Sequence, residues 1–359
     1  MSATKLSIGF LLPKDIHDPK TGNDWYNNHV VTGLRAHGHT VEILSTEAFN
    51  GMNPNIAALQ IQLILSTHSR RLSILLVDTW LYRFLHRSKK IFRQIGCPVV
   101  SFHHECYWET LQSFHLRTIH YWKMRRFVSR CDGHIGVNKT VLQQDGCKKN
   151  FKLIYPGCSF TVPNDQLLQK KVGELHLITV GNYTSRKGHH HLINAIGEMK
   201  REDPDSVNGL TLEVVGNRSF DSNYTTYLEH LVRELRIQDN VILSGWMNRE
   251  ELHQAFQCKH AFASASEGES FGRVVLEALL HGLPAALSPL RVFKEIMANS
   301  NCGDCNGNYA LLFRLWLKMN SKSFLNLQYN AKRRAHEISK TWPDVVEDFE
   351  AALKKWVSI

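Results

Sequence analysis

No apolar run in this chain approaches the roughly 18 residues that cross a bilayer as a helix, so no membrane-spanning segment is expected. The first apolar stretch, Leu6–Leu12, is followed by Pro13-Lys14-Asp15 instead of a small-residue cleavage site, and it reads as a β-strand, not a signal peptide. A disulfide framework is also missing. The eight cysteines are scattered without regular spacing, and reduced thiols in a cytoplasmic protein are the expectation. Cys302-Gly-Asp-Cys305 has metal-ligand spacing but no second pair, so it reads as a loop and no metal is expected. No G-x-G-x-x-G follows a predicted strand. Gly181-Asn-Tyr-Thr and Gly216-Asn-Arg-Ser both fail the pattern, which argues against a dinucleotide oxidoreductase. No carboxylate stands out as a nucleophile.

Acidic residues are scarce in the first half. Residues 1–158 hold 20 Lys and Arg against 10 Asp and Glu, whereas the rest of the chain is balanced, so the whole net charge of +10 belongs to the first half. Arg83, Arg87, Lys89, Lys90 and Arg93 form one cluster, and Arg117, Lys123, Arg125, Arg126 and Arg130 a second. Histidines, Tyr121 and Trp122 lie among them. Such a face attracts an anionic lipid, a phosphorylated acceptor or nucleic acid, and a merely solvated basic surface is the competing account.

The 359 residues suffice for two domains of ordinary size. From Leu175 onward short apolar strands alternate with amphipathic helices. Strands are predicted at Leu175–Val180, Leu210–Val215, Val241–Ser244, Ala261–Ala265 and Pro284–Leu287. The first half repeats the plan, with strands at Leu6–Leu12, Val41–Leu44, Ile74–Val77, Val99–Phe102, Gly133–Val137 and Leu153–Tyr155, and helices near Asp24–His37 and Glu109–Arg130. This pattern predicts parallel sheets covered on both faces, hence an α/β chain with two doubly wound, Rossmann-like domains. The expected division is residues 1–158, a linker at 159–174 with a polar hinge at Thr161–Gln169, a second domain at 175–330, and a helical tail at 331–359. Trp342, Val346, Phe349 and Leu353 mark an apolar stripe in that tail.

The most informative stretch runs from Ser264 to Pro284. Arg273–His281 is good helix material, ended by Gly282 and blocked by Pro284. A helix N-terminus exposes unpaired amides and partial positive charge, so a diphosphate fits against Ser270, Phe271, Gly272, Arg273 and Val274. Glu277, one turn inside, can accept hydrogen bonds from both ribose hydroxyls, and Glu269 in the loop can reach hydroxyls on the other side. The spacing reads as a site for a sugar nucleotide.

Glu269, seven intervening residues and Glu277, followed by Ala278 and Gly282-Leu-Pro284, resemble the E-x7-E element of the family 4 retaining glycosyltransferases of GT-B fold. The resemblance implies two Rossmann-like domains facing each other across a cleft, a last helix that crosses back to the first domain, and retaining, metal-independent transfer of a hexosyl group from a nucleotide diphosphate sugar. A UDP-sugar is the expected donor; the acceptor is unidentified, anionic or membrane-associated among the options, and no cofactor and no nucleic acid partner are expected. Gly181-Asn-Tyr-Thr-Ser-Arg-Lys-Gly188 resembles the family's glycine-to-Lys-Gly loop, which gives Lys187 the donor diphosphate. Asn182 stands where the family often has an arginine, and Arg186 is the compensating cation. Gly22 corresponds to a glycine pair between the first strand and helix, His103 to a histidine contacting the transferred sugar, and Met247 to the base-binding loop. A non-hydrolysing sugar-nucleotide epimerase and a non-catalytic scaffold are the alternatives.

Overall fold

The computed structural model describes residues 5–16, 21–49, 51–87, 92, 94–109, 111, 113–158 and 167–358. Lys89, Lys90 and Arg93 of the first basic cluster, and residues 161–166 of the expected hinge, lie outside them. The chain forms two units, one of Met1–Ser159 with Lys340–Ile359 and the other of Phe160–Ser339.

In the first unit, six parallel strands stand in the order β2-β1-β3-β4-β5-β6. They are β1 (Ser7–Leu12), β2 (Thr40–Ser45), β3 (Ile74–Asp78), β4 (Val99–His103), β5 (Gly133–Gly136) and β6 (Phe151–Leu153). Every residue of β3 and β4 is buried, as expected of strands with both faces covered. The covering helices are α1 (Gly22–Ala36), α2 (Pro54–His68), α3 (Tyr82–Leu85), α4 (Phe114–Val128) and α5 (Lys139–Asp145). α1 opens with a capping box, in which the Thr21 hydroxyl accepts from the Asp24 amide and the Asp24 carboxylate accepts from the Thr21 amide. α4 starts at Phe114, several residues later than the expected Glu109. Neither α2 nor α3 was anticipated. A short strand β7 (Gly157–Cys158) closes this part of the chain.

In the second unit the strand order is β10-β9-β8-β11-β12-β13, again all parallel. These are β8 (Leu175–Val180), β9 (Leu210–Val215), β10 (Val241–Leu243), β11 (Ala261–Ser264), β12 (Ala285–Leu287) and β13 (Gly303–Asp304). The intervening helices are α6 (His189–Glu202), α7 (Ser222–Glu234), α8 (Arg249–Gln257), α9 (Arg273–Leu280), α10 (Arg291–Met297), α11 (Tyr309–Lys318) and α12 (Ser321–Ile338). Tyr183, Ile193, Ile196, Phe313 and Phe324 are wholly buried in one core with the strands; each such side chain contributes roughly 1.5–3 kcal/mol relative to exposure. The loops after β8 and β11 diverge at the switch point of the strand order, the usual ligand position in open α/β sheets. The stretch Asn299–Asn308 supplies the edge strand β13, preceded by Ala298 and Asn301 with φ of 44° and 49°.

The expected single helix over 331–359 is two. α12 stops at Ile338, residues Lys340–Thr341 form β14 paired in parallel with β7, and α13 (Trp342–Val357) begins afresh in the first unit. Pro343 lacks an amide donor and is tolerated only in a first turn, which the Thr341–Asp344 capping box initiates. Val346 of α13 lies so close to α1 that a Cβ on Gly33 would come 2.3 Å from its Cγ2.

Candidate functional site

Two loops at the switch point of the second unit are stapled together. The loop from Gly181 to Gly188 follows β8, and the loop from Ala265 to Gly272 follows β11. The Lys187 ammonium pairs directly with the Glu269 carboxylate, which also accepts a 3.1 Å bond from the Ser266 hydroxyl. Arg186 donates through Nη1 to the Gly268 carbonyl at 2.7 Å, while its own carbonyl accepts from the Glu267 amide at 2.9 Å. Gly188 makes the approach possible: its φ is +65°, and a Cβ there would lie 2.1 Å from the Ala265 carbonyl oxygen. Tyr183 anchors the first loop from beneath, donating to the Val214 and Ser244 carbonyls. Asn182, beside it, is half-buried.

The second loop ends at Gly272, whose φ of +82° turns the chain into α9. Phe271 is buried, and Ser270, Arg273 and Val274 are partly exposed around the helix N-terminus, whose first-turn amides carry partial positive charge. Glu277 lies one turn in. Its carboxylate has no hydrogen-bond partner among the described residues, and burial raises its pKa against the opposing pull of Arg273 and Arg249. Arg249 opens α8, which Asn248 and Glu251 cap reciprocally. Sequence reasoning passed over Arg249, because its proximity to Glu277 depends on how α8 and α9 pack. Met247, half-buried, precedes that cap. Gly181, Asn182, Arg186, Lys187, Met247, Ser270, Phe271, Gly272, Arg273, Val274, Glu269 and Glu277 all belong to this one unit, and its stapled loops set Arg186 and Lys187 beside Gly268 and Glu269.

The other two predicted residues belong to the first unit. Gly22 is the first residue of α1, where an added Cβ would meet nothing within 4 Å, so no close approach demands glycine. His103 closes β4 and is 0% exposed, with Nδ1 2.7 Å from the Asp145 carboxylate and Nε2 2.8 Å from the Ser101 hydroxyl. The alternation of β4 turns Ser101 and His103 to one face, where His134 Nδ1 meets the same hydroxyl at 2.7 Å and Cys147 Sγ lies 3.4 Å from His103 Nε2. His103, His134 and Cys147 have the proximity of metal ligands. Ser101 nevertheless occupies the ring nitrogens that face one another, so the group is a satisfied polar network. His189, first of three consecutive histidines, is buried with Nε2 directed at the Gly181 carbonyl, and Asp203 and Asp205 lie in a tight turn after α6.

Residues 164–334 match the family of glycosyl transferases group 1. Mannosylfructose-phosphate synthase of Agrobacterium fabrum is 27% identical over 115 residues, 31% of this chain and 25% of that protein. The serotype-specific mannosyltransferase WbdA of Escherichia coli is 27% identical over 174 residues, 47% of this chain and 20% of that one. The chain thus spans a quarter or less of these two curated relatives. The solved structure of Anabaena HepE in complex with UDP and glucose superimposes with a TM-score of 0.69 at 16% identity, covering 98% of this chain and 100% of that one. Two Rossmann-like units with parallel sheets share the GT-B glycosyltransferase fold of that solved structure, and residues 164–334 match the glycosyl transferases group 1 model.

Proposed function

We infer that the protein is a retaining glycosyltransferase that moves a hexosyl group from a nucleoside-diphosphate sugar, with a UDP-sugar as the first candidate, to an acceptor recognised by the first unit. The carrying observation is Glu277, a half-buried carboxylate without a hydrogen-bond partner among the described residues, one turn inside a helix whose N-terminus suits a diphosphate. Two vicinal ribose hydroxyls supply the donors that this carboxylate lacks. HepE was solved with UDP, which supports the choice of base.

In this reading the departing diphosphate is held by Lys187 and Arg186 and by the first-turn amides of α9, so its charge needs no metal ion. Lys187 has three N–H donors and serves Glu269 and a phosphate oxygen together. Glu269 orients the sugar hydroxyls. The anomeric C–O bond to phosphate breaks, the acceptor oxygen bonds to the same face of that carbon, and the acceptor proton passes to the departing phosphate oxygen, which makes a protein base unnecessary. Each contact that strengthens as charge develops contributes roughly 2–4 kcal/mol to the transition state. His103 has no part in this scheme, since its ring is enclosed.

Calorimetric titration with UDP, GDP, ADP and NAD, repeated on Glu277→Ala, tests the reading. Selective binding of one nucleoside diphosphate, lost in the variant, is the expected result. Binding of NAD alone, or of no nucleotide, would overturn it.

A further inference from the structure

α2 contains no Asp, Glu, Lys or Arg. Ala57, Ile61 and Leu65 face inward and are buried, yet Ile56, Leu59 and Leu63, at helical spacing on the opposite side, are 52%, 65% and 60% exposed. A helix that is uncharged and exposes apolar side chains opposite its buried stripe, with Gln60 and Gln62 among its few polar residues, suits an apolar medium on that side. α4 shows the same excess: Phe114, Ile119 and Trp122 are 77%, 50% and 65% exposed.

Between these two helices, with α3 contributing to its lining, lies a cavity of about 870 Å³. Arg83, Arg87 and Lys123 line it together with His86 and His120, and among the described residues no acidic side chain does. Among the described residues no carboxylate pairs with any of the three cations, and Arg83 Nε is buried without a hydrogen-bond partner. The electrostatic consequence is visible in the neighbours. Burial and the charges of Lys123, Arg83 and His86 drive His120 down to about 4, while Arg87 and Arg83 add to burial in lowering Lys123. Removing the positive charges from one another's company, or adding an anion, relieves this repulsion.

We propose that this face of the first unit docks on a membrane surface, with the phosphate of an anionic lipid in the Arg83–Arg87–Lys123 cavity and the apolar side chains of α2 and α4 entering the headgroup and acyl boundary on either side. Charge complementarity selects an anionic partner, and the flanking apolar stripes select a bilayer over a free phosphate or a nucleic acid, neither of which needs them. Trp122 and Phe114 are side chains of the kind that settle at such a boundary, and lysine and arginine stems lie along apolar surface while their heads stay with phosphate. The half-chain charge asymmetry, 20 basic against 10 acidic residues in 1–158, acts in the same direction.

Vesicle flotation of the full chain tests this. Phosphatidylcholine vesicles containing phosphatidylglycerol are expected to carry the protein at low salt, and pure phosphatidylcholine vesicles are not. The R87E/K123E double variant is expected to bind roughly tenfold or more weakly, and L59S/L63S to lose binding to a similar degree, both with unchanged melting temperature. In the unmodified protein, brominated phosphatidylglycerol should quench tryptophan emission, and W122F should lose a share of that quenching, a readout that needs no destabilising change. No flotation on the anionic vesicles, equal flotation on both kinds, or full binding by L59S/L63S would overturn the proposal. The last result would assign the cavity to a soluble phosphate, which titration with glycerol phosphate would then register.

Discussion

Lys187 and Glu269 form a direct ion pair that ties the loop after β8 to the loop after β11, with each side chain less than one-fifth exposed. The cation proposed for the donor diphosphate is thus already positioned by the carboxylate proposed for the sugar. Lys187→Ala is expected to lower kcat/KM by about 10²–10³-fold, the effect of losing one preorganised charge-stabilising contact. Melting temperature should change little, because a partly solvated pair contributes on the order of 1 kcal/mol or less. Steady-state kinetics beside a thermal melt checks both halves, and near-native turnover with a large melting shift would make the pair structural only.

Glu277 predicts a pH dependence of known sign. Burial raises its pKa above the ordinary 4.5. Between that value and the raised one, the folded protein holds a proton that the unfolded chain does not. The stability contributed by this group is therefore complete at low pH and falls as pH rises through the window. Ribose hydroxyls donate to the ionised form, so nucleotide affinity should rise with pH across the same window. Comparing nucleotide titrations of the wild type and Glu277→Gln removes the nucleotide's own ionisation. The difference should be largest on the alkaline side of the window, and a difference that does not vary with pH would dismiss Glu277 as the ribose acceptor.

Three glycines should rank in a definite order. Gly188 combines a φ of +65° with a Cβ position 2.1 Å from a backbone oxygen, which cannot yield. Gly272, at +82°, would meet the Phe293 ring edge at 2.8 Å, a side chain that can shift. Gly22 meets nothing. Alanine should therefore destabilise most at 188, by about 1–2 kcal/mol at 272 from backbone strain, and negligibly at 22, where glycine to alanine inside a helix is if anything favourable. Urea denaturation of the three variants measures the order.

The strand–helix alternation and the turn that opens α9 were legible because each rests on local chemistry. Gly272 before an apolar helix announces its own turn, and Glu277 follows by counting one turn. The first unit was harder for a physical reason. α2 has no amphipathic period, since Ile56, Leu59 and Leu63 are as apolar as the buried Ala57, Ile61 and Leu65, so nothing in its pattern separates helix from strand. The tail misread as one helix shows the converse. Lys340–Thr341 breaks the helical tail just before its apolar stripe by pairing with β7, a long-range contact that periodicity does not record. Arg249 near Glu277 is of the same kind.

His103 supplies the last test, because its position in sequence and its surroundings suggest opposite roles. It ends a parallel strand, where ligand-contacting residues gather, but both it and Asp145 are wholly buried, and Asp145 also accepts from Trp108 Nε1 at 2.9 Å. Asp145→Ala would orphan the buried His103 donor and the half-buried Trp108 donor, and with about 1–3 kcal/mol for a fully buried donor and less for the other, a loss of about 2–4 kcal/mol in unfolding free energy is expected. Asp145→Asn keeps the shape and one acceptor oxygen, and should lose less. Nucleotide affinity, measured on the full chain well below the melting temperature, should stay within about twofold in either variant, since the donor residues lie in the other unit. A sugar-contacting His103 predicts the reverse, with donor-sugar affinity and turnover falling in Asp145→Asn while stability holds.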